Sequence, residues 1–258
     1  MVAVPARVFI TGASAGIGRA LALHYAARGS RVCAIARNAG ALETLAASHP
    51  GRIRVGIADV RDADAMRLQA EAFIAAEGVP DLVYANAGIS VGTLTAEPED
   101  AAVMAEVLNT NVLGLAHTFA PFIPAMRRRA RGTLVGIASV AGLRGLPGAG
   151  AYSASKAAAI AYLEALRIEE RAFGLKVVTL CPGYIDTAMT RANPYPMPFL
   201  IPVDRAARRL ARAAEAGHRL ALVPWPWAFV GRVMRVIPPW AWDRLLARAG
   251  RKPRRGTG

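Results

Sequence analysis

Arg7-Val8-Phe9-Ile10-Thr11-Gly12-Ala13-Ser14-Ala15-Gly16-Ile17-Gly18 begins with a short apolar run and breaks into a glycine-rich turn. Arg19 to Arg28 then follows with helical periodicity. Strand, glycine loop and helix in this order are the context that a dinucleotide site needs. Gly12 permits a tight turn. Gly16 and Gly18 allow backbone to approach a pyrophosphate and the helix to pack on the strand. The helix N-terminus offers free N–H groups and the positive end of its dipole.

Moving outward, Arg31–Ala36, Ile53–Ile57, Asp81–Ala85, Leu134–Ser139, Lys176–Cys181 and Arg219–Val223 read as further strands. Between them lie helical stretches: Leu42–Ser48, a helix capped by Asp62 and running to Glu77, Pro98 to about Arg128, and Tyr152–Phe173. Strands alternating with helices imply an α/β fold with a parallel, doubly wound sheet, whose ligands bind at the carboxyl ends of the strands. Thr11, Arg37, Asp59, Asn86, Ser139 and Pro182 all fall at such ends. The second strand ends in Ala36-Arg37, where an acid would favour the 2′-hydroxyl of NAD. A guanidinium there suits a 2′-phosphate, so NADP(H) is expected over NAD(H). The basic run Arg127, Arg128, Arg129 and Arg131 reads as a solvated helix end.

Tyr152 and Lys156 stand four apart, which stacks them on one helix face at about 5–6 Å between Cβ atoms. A lysine ammonium beside a phenol favours the phenolate and lowers its pKa, which makes a tyrosine a usable acid and base near neutrality. Ser139, just past an apolar strand, would help hold a substrate oxygen. Tyr-x-x-x-Lys alone also fits a core tyrosine with a solvated neighbour. Composition adds weight. The chain has 32 Lys+Arg, but the only lysines are Lys156, Lys176 and Lys252. This position therefore holds the basic residue with a compact, tunable charge where arginine is the rule.

Together, Thr11 to Gly18, Asp59-Val60, Asn86-Ala87-Gly88, Asn111, Ser139, Tyr152-x-x-x-Lys156 and Pro182-Gly183-x-x-x-Thr187 resemble the short-chain dehydrogenase/reductase family, in its order and at about its spacings. The resemblance implies a three-layer Rossmann fold with a mainly parallel seven-stranded sheet and a nicotinamide cofactor. It also implies roles for the matching positions. Gly12, Ser14, Gly16, Ile17 and Gly18 would line the pyrophosphate, and Asp59 and Val60 would meet the adenine. Asn86, Ala87 and Gly88 would support the cofactor, with Pro182, Gly183 and Thr187 at its nicotinamide. Lys156 would hold the nicotinamide ribose, and Asn111 would steady a water that passes protons to it. Ser139, Tyr152, Lys156 and Asn111 form the catalytic set for a carbonyl or alcohol substrate. A homo-oligomer, dimer or tetramer, is common in the family. The alternative is a non-catalytic NADP(H)-binding sensor or scaffold, whose mark would be a broken Ser–Tyr–Lys set; here the set is complete.

Residues 1–223 read as one domain, with a substrate flap at about 184–205. Met189, Tyr195, Met197, Phe199, Leu200 and Ile201 in the flap suit either an apolar substrate or the protein's own core. Residues 224–258 form a basic extension that contains all four tryptophans, at 225, 227, 240 and 242. The net charge is +14, and residues 217–258 hold nine Lys+Arg against the single acid Asp243. No nucleic-acid-binding motif accompanies this charge, so no nucleic-acid partner is expected. In the extension, Ala228–Ile237 places Gly231, Arg232 and Arg235 on one side with apolar residues elsewhere, and Trp240–Ala249 is a second short helix. Three roles fit it: an interfacial helix on a membrane, a cover for the core, or a subunit interface. Arg251-Lys252-Pro253-Arg254-Arg255 would add attraction to anionic lipid. Cys33 and Cys181 lie in apolar runs and read as buried reduced thiols, which fits a cytoplasmic protein or one at the cytoplasmic face of a membrane. The N-terminus does not read as a signal peptide, and no apolar run is long enough to span a bilayer. His24, His49, His117 and His218 lack metal-set spacing, and no metal is expected.

Overall fold

Alternation sorts the first strand between two layers. β1 (Arg7–Thr11) sends Val8 and Ile10 into one core and Phe9 into the other, as period-two pleating requires of a sheet covered on both faces. The computed structural model describes residues 4–255; residues 1–3 and 256–258, the ends of the two expected segments, lie outside the described residues. After β1 come α1 (Gly16–Ala27), β2 (Arg31–Ala36), α2 (Ala39–Ala47), β3 (Ile53–Ile57), α3 (Ala63–Glu77) and β4 (Leu82–Ala85). Next are α4 (Asp100–Leu108), α5 (Gly114–Phe119), α6 (Ile123–Arg128), β5 (Thr133–Ile137), α7 (Gly150–Glu170) and β6 (Lys176–Pro182). The chain continues through β7 (Ile185–Asp186), α8 (Ala188–Arg191), β8 (Ile201–Pro202), α9 (Val203–Ala216), β9 (Leu220–Val223), α10 (Pro226–Val236) and α11 (Pro239–Leu246).

The main sheet has seven strands in the order β3-β2-β1-β4-β5-β6-β9, all parallel. This is the doubly wound α/β class read from the sequence. The strand order reverses between β1 and β4, which places the ligand crevice there. One core packs α1, α2 and α9 on the sheet; the other packs α3, α5, α6 and α7. Small residues set the closeness. A Cβ at Gly136 of β5 would strike the Leu163 side chain of α7, so the missing side chain lets α7 lie directly on the sheet.

The stretch 98–128 is not one helix. Asn109–Leu113 forms a π turn between α4 and α5, and Pro124 in the first turn of α6 cannot extend an incoming helix. Nor is its basic end simply solvated. Arg127 makes a bidentate pair with buried Glu170, at 2.8 and 2.6 Å, and stacks on Phe173. Arg129 donates to the carbonyls of Val79 and Pro80. Both cysteines are buried and free, and burial pushes each thiol up to about 12.

Tyr25 of α1 and Tyr84 of β4, both wholly buried, share a hydrogen bond of 2.7 Å. Each hydroxyl satisfies the other, and removing one orphans its partner. Tyr25→Phe or Tyr84→Phe alone is expected to lower unfolding free energy by about 1–3 kcal/mol, whereas the double substitution costs less than the sum. Urea unfolding of the three variants checks this.

Candidate active site

At the strand-order reversal the ends of β1 and β4 are tied together. The Thr11 hydroxyl donates to the Tyr84 carbonyl and accepts from the backbone N–H of Asn86. The Asn86 amide donates to the carbonyls of Thr11 (2.9 Å) and Gly12 (3.2 Å). The glycine loop hangs on this tie. Gly12 has φ +66, and a Cβ there would press on the Ala87 backbone at 2.7 Å. A Cβ on Gly18 would run into the Gly12 carbonyl and the Asn86 amide. Gly18 thus lies beneath the loop and does not line the cavity; it acts by letting α1 start close to β1. No side chain caps α1 and no acid sits in its first turn, which leaves its N–H groups free for an anion. This cradle fits a dinucleotide pyrophosphate.

Past β2, Arg37 stands 3.6 Å from the Asp59 carboxylate. Arg61 holds the same carboxylate with its backbone N–H at 2.9 Å and a side-chain fork at 2.6–3.1 Å. These bonds keep the Asp59 carboxyl below the usual range. Arg61 did not stand out in the sequence, because one more arginine carries little signal in so basic a chain. Val60 is buried against Gly114 at the start of α5.

At the other end of the crevice, α7 carries Tyr152 and Lys156. Lys156 is 4% exposed, and its Nζ donates to the Ile137 carbonyl at 2.8 Å. Burial pushes its pKa down to about 8. Its Nζ lies 5.8 Å from the centre of the Tyr152 ring. Ser139, two residues past the end of β5, accepts from the Ala141 N–H at 3.1 Å, and its hydrogen bond to Tyr152 favours the phenolate. Burial outweighs that bond and holds the Tyr152 phenol above its ordinary pKa. This corrects the expected lowering by Lys156: in this arrangement the ammonium is aimed at the Ile137 carbonyl and is itself disfavoured by burial.

Asn111 lies in the π turn and is buried. Its amide accepts from the Ile89 N–H (2.8 Å) and donates to the Ile89 carbonyl (3.0 Å) and the Ser155 hydroxyl (2.9 Å). Both side-chain donors are committed, so the side chain ties the 86–89 loop to α7 and does not face the cavity.

One cavity of about 590 Å³ is lined by every other expected residue: Gly12, Ser14, Gly16, Ile17, Arg37, Asp59, Val60, Asn86, Ala87, Gly88, Ser139, Tyr152, Lys156, Pro182, Gly183 and Thr187. Met189 of the expected flap joins the lining, and so do Ile89, Thr110 and Ile185, which as ordinary apolar or hydroxyl residues have no distinctive sequence signal. Thr187 starts α8 and faces the space above Gly16, which closes the crevice over the glycine loop. Beyond it, β7 and β8 pair in parallel and pin the flap at its base.

The extension completes this wall. Trp227 of α10 occupies the space a Cβ on Gly183 would need, and its ring stands 5.9 Å from both Tyr184 and Phe199. Gly231 is buried with it, against Leu143 and Leu222, which corrects its expected place on the polar side. The basic end is also tied down. The Pro253 carbonyl accepts from the Gly92 N–H, Arg254 pairs with Glu97, Glu99 and buried Asp100, and Arg255 pairs with Glu106. Arg254 and Arg255 thereby strap the end of the extension to α4 and the segment before it.

The geometry has relatives. A family model for short chain dehydrogenase matches residues 6–196. An oxidoreductase of Myxococcus xanthus (strain DK1622) is 38% identical over 242 residues, covering 93% of this chain and 95% of that protein. A 3-ketodihydrosphingosine reductase of Bacteroides thetaiotaomicron is 33% identical over 187 residues, 72% of this chain and 66% of the relative. A short-chain dehydrogenase structure from Streptomyces avermitilis superposes with a TM-score of 0.78 at 27% identity, covering 94% of this chain and 97% of the other. With its cradle, its seven-stranded sheet and its Ser–Tyr–Lys wall, the chain belongs to the short-chain dehydrogenase/reductase family of NAD(P)-dependent oxidoreductases.

Proposed function

We propose that the protein is an NADP(H)-dependent oxidoreductase for an apolar carbonyl or alcohol, with Tyr152 as its general acid and base. The observation that carries this reading is the convergence of Ser139, Tyr152 and Lys156 on the cavity whose far end is the glycine cradle. The bound nicotinamide supplies or accepts the hydride. Ser139 and Tyr152 hold the substrate oxygen. In reduction the Tyr152 phenol gives that oxygen a proton; in oxidation its phenolate takes one. The raised pKa of Tyr152 keeps it protonated near neutrality, the form that suits proton donation to a carbonyl. Lys156, fixed by the Ile137 carbonyl, stands in the cavity wall below Tyr152, where it would hold the nicotinamide ribose.

The NADP(H) preference rests on Arg37. Arg61 engages Asp59 more closely than Arg37 does, so Asp59 is already neutralised and the Arg37 charge is available to a 2′-phosphate. The apolar substrate rests on Met189 in the cavity wall, on the aromatic group Tyr184, Tyr195 and Trp227 beside it, and on the kinship with a 3-ketodihydrosphingosine reductase.

Tyr152→Phe is expected to lower kcat by at least ~10²-fold while leaving NADPH affinity nearly unchanged; retained turnover would sink the assignment. Arg37→Ala is expected to weaken NADPH binding by roughly 10-fold or more and to leave NADH binding unchanged, as loss of a charge-assisted bond to phosphate requires. Fluorescence titration with each nucleotide and steady-state kinetics on a panel of ketones of increasing chain length measure both.

A further inference from the structure

α10 is two-faced. Trp227, Val230, Gly231 and Met234 recur at helical spacing and pack on Val140, Leu143, Tyr184 and Leu222. Opposite them, at 100° per residue, Trp225, Phe229, Arg232 and Val236 form an outward stripe. Trp225 is 75% exposed, Phe229 69% and Val236 77%. The next helix, α11, adds Trp240 at 71% and Leu245 at 65%. Scattered exposed apolar residues need no explanation; a stripe with two bulky aromatics on one short helix, followed by an exposed tryptophan on the next, does.

Charge says what fits this face. Arg232 and Arg235 lie on and beside the stripe, and Arg244 and Arg248 follow it, all exposed. Among the described residues, no ion pair ties up any of the four. Pairing two copies face to face would oppose arginines to arginines. A partner with dense negative charge over an apolar interior meets both features, because tryptophan and arginine combine an apolar body with a polar tip. No helix among the described residues is long and apolar enough to cross a membrane, so contact would be at the surface.

We propose that this outward face of α10 and α11 docks on anionic lipid bilayers. The aromatic side chains enter the headgroup boundary and the four arginines sit at the level of the phosphates. The inner face of the same helix packs against Tyr184 and fills the space beside Gly183, so a docked molecule holds its substrate wall one helix away from the lipid. The docking surface does not depend on the hydride chemistry above, and each can fail without the other.

The test is co-sedimentation of the full chain with phosphatidylcholine vesicles, with and without phosphatidylglycerol. Two variants accompany it: Trp225→Ala/Phe229→Ala/Trp240→Ala and Arg232→Glu/Arg235→Glu. All these side chains are exposed, and circular dichroism with NADPH titration confirms that the variants fold. Binding is expected only with phosphatidylglycerol present and is expected to weaken with salt. It is expected to fall by roughly tenfold or more in each variant. No sedimentation of the full chain overturns the proposal. So does sedimentation that the aromatic variant leaves unchanged, or equal retention on soluble polyglutamate, which would point to an acidic protein. Size-exclusion chromatography in which the aromatic variant turns a dimer into a monomer would assign the face to a second copy, and would also overturn it.

Discussion

The Asn86 side chain is the tie on which the site depends. A parallel sheet that reverses its strand order leaves a gap between the carboxyl ends of its two middle strands. Backbone groups there have no strand to pair with, and buried polar groups without partners are costly. Asn86 answers both needs: its amide satisfies the Thr11 and Gly12 carbonyls, and Thr11 in turn receives the Asn86 N–H. The glycine turn is thereby built against β4 and not merely appended to β1. Glycine at position 18 follows from the same tie, because any side chain there would displace the Gly12 carbonyl or the amide that holds it.

A second constraint comes from the excess of arginine. With 32 Lys+Arg against 18 Asp+Glu, the acids act as organising points. Asp81 accepts from the backbone of Ala6 and Arg7 and faces Arg129. Glu170 holds Arg127, and Asp100 holds Arg254 and the Leu94 N–H. Each is buried, which makes its arginine partner a structural element and not a solvated charge. The arginines left outward on α10 and α11 are informative for that reason: in this chain an arginine with an acid nearby is usually taken up by the fold.

The sheet was legible because its signals are local. Short apolar runs, the glycine turn and the Asp62 cap each act within a few residues, and the strand-end positions carry polar residues that β-strands themselves do not need. What the sequence hid depends on distant partners. α9 buries mostly alanines, Ala206, Ala207, Ala211 and Ala214, with Leu210. No bulky stripe marks it, and its small residues are explained by close packing on α1 and the sheet. The π turn at Asn109–Leu113 is invisible to periodicity, because it goes with the bonds of Asn111 to the distant Ile89 backbone. Most of the cavity lining follows from motif positions, but the side-chain contacts of Asn111 and the direction of the Tyr152 shift do not. Both are set by burial and by hydrogen bonds that sequence spacing cannot supply.

Gly183 shows why the extension belongs to the site's architecture. A glycine after the strand-ending Pro182 can be read as a simple stop. In the folded chain its missing side chain is the seat of Trp227, contributed from more than forty residues further on. The indole in turn meets Tyr184 and Phe199, so flap and extension share one aromatic packing unit. Any movement of α10 must therefore disturb the wall that holds Gly183 in the cavity. The strap residues reinforce the coupling, since Arg254 is anchored to Asp100 at the start of α4 and Lys252 reaches Asn193 in the flap. The short basic tail thus ties the extension to the flap and to the 92–100 loop.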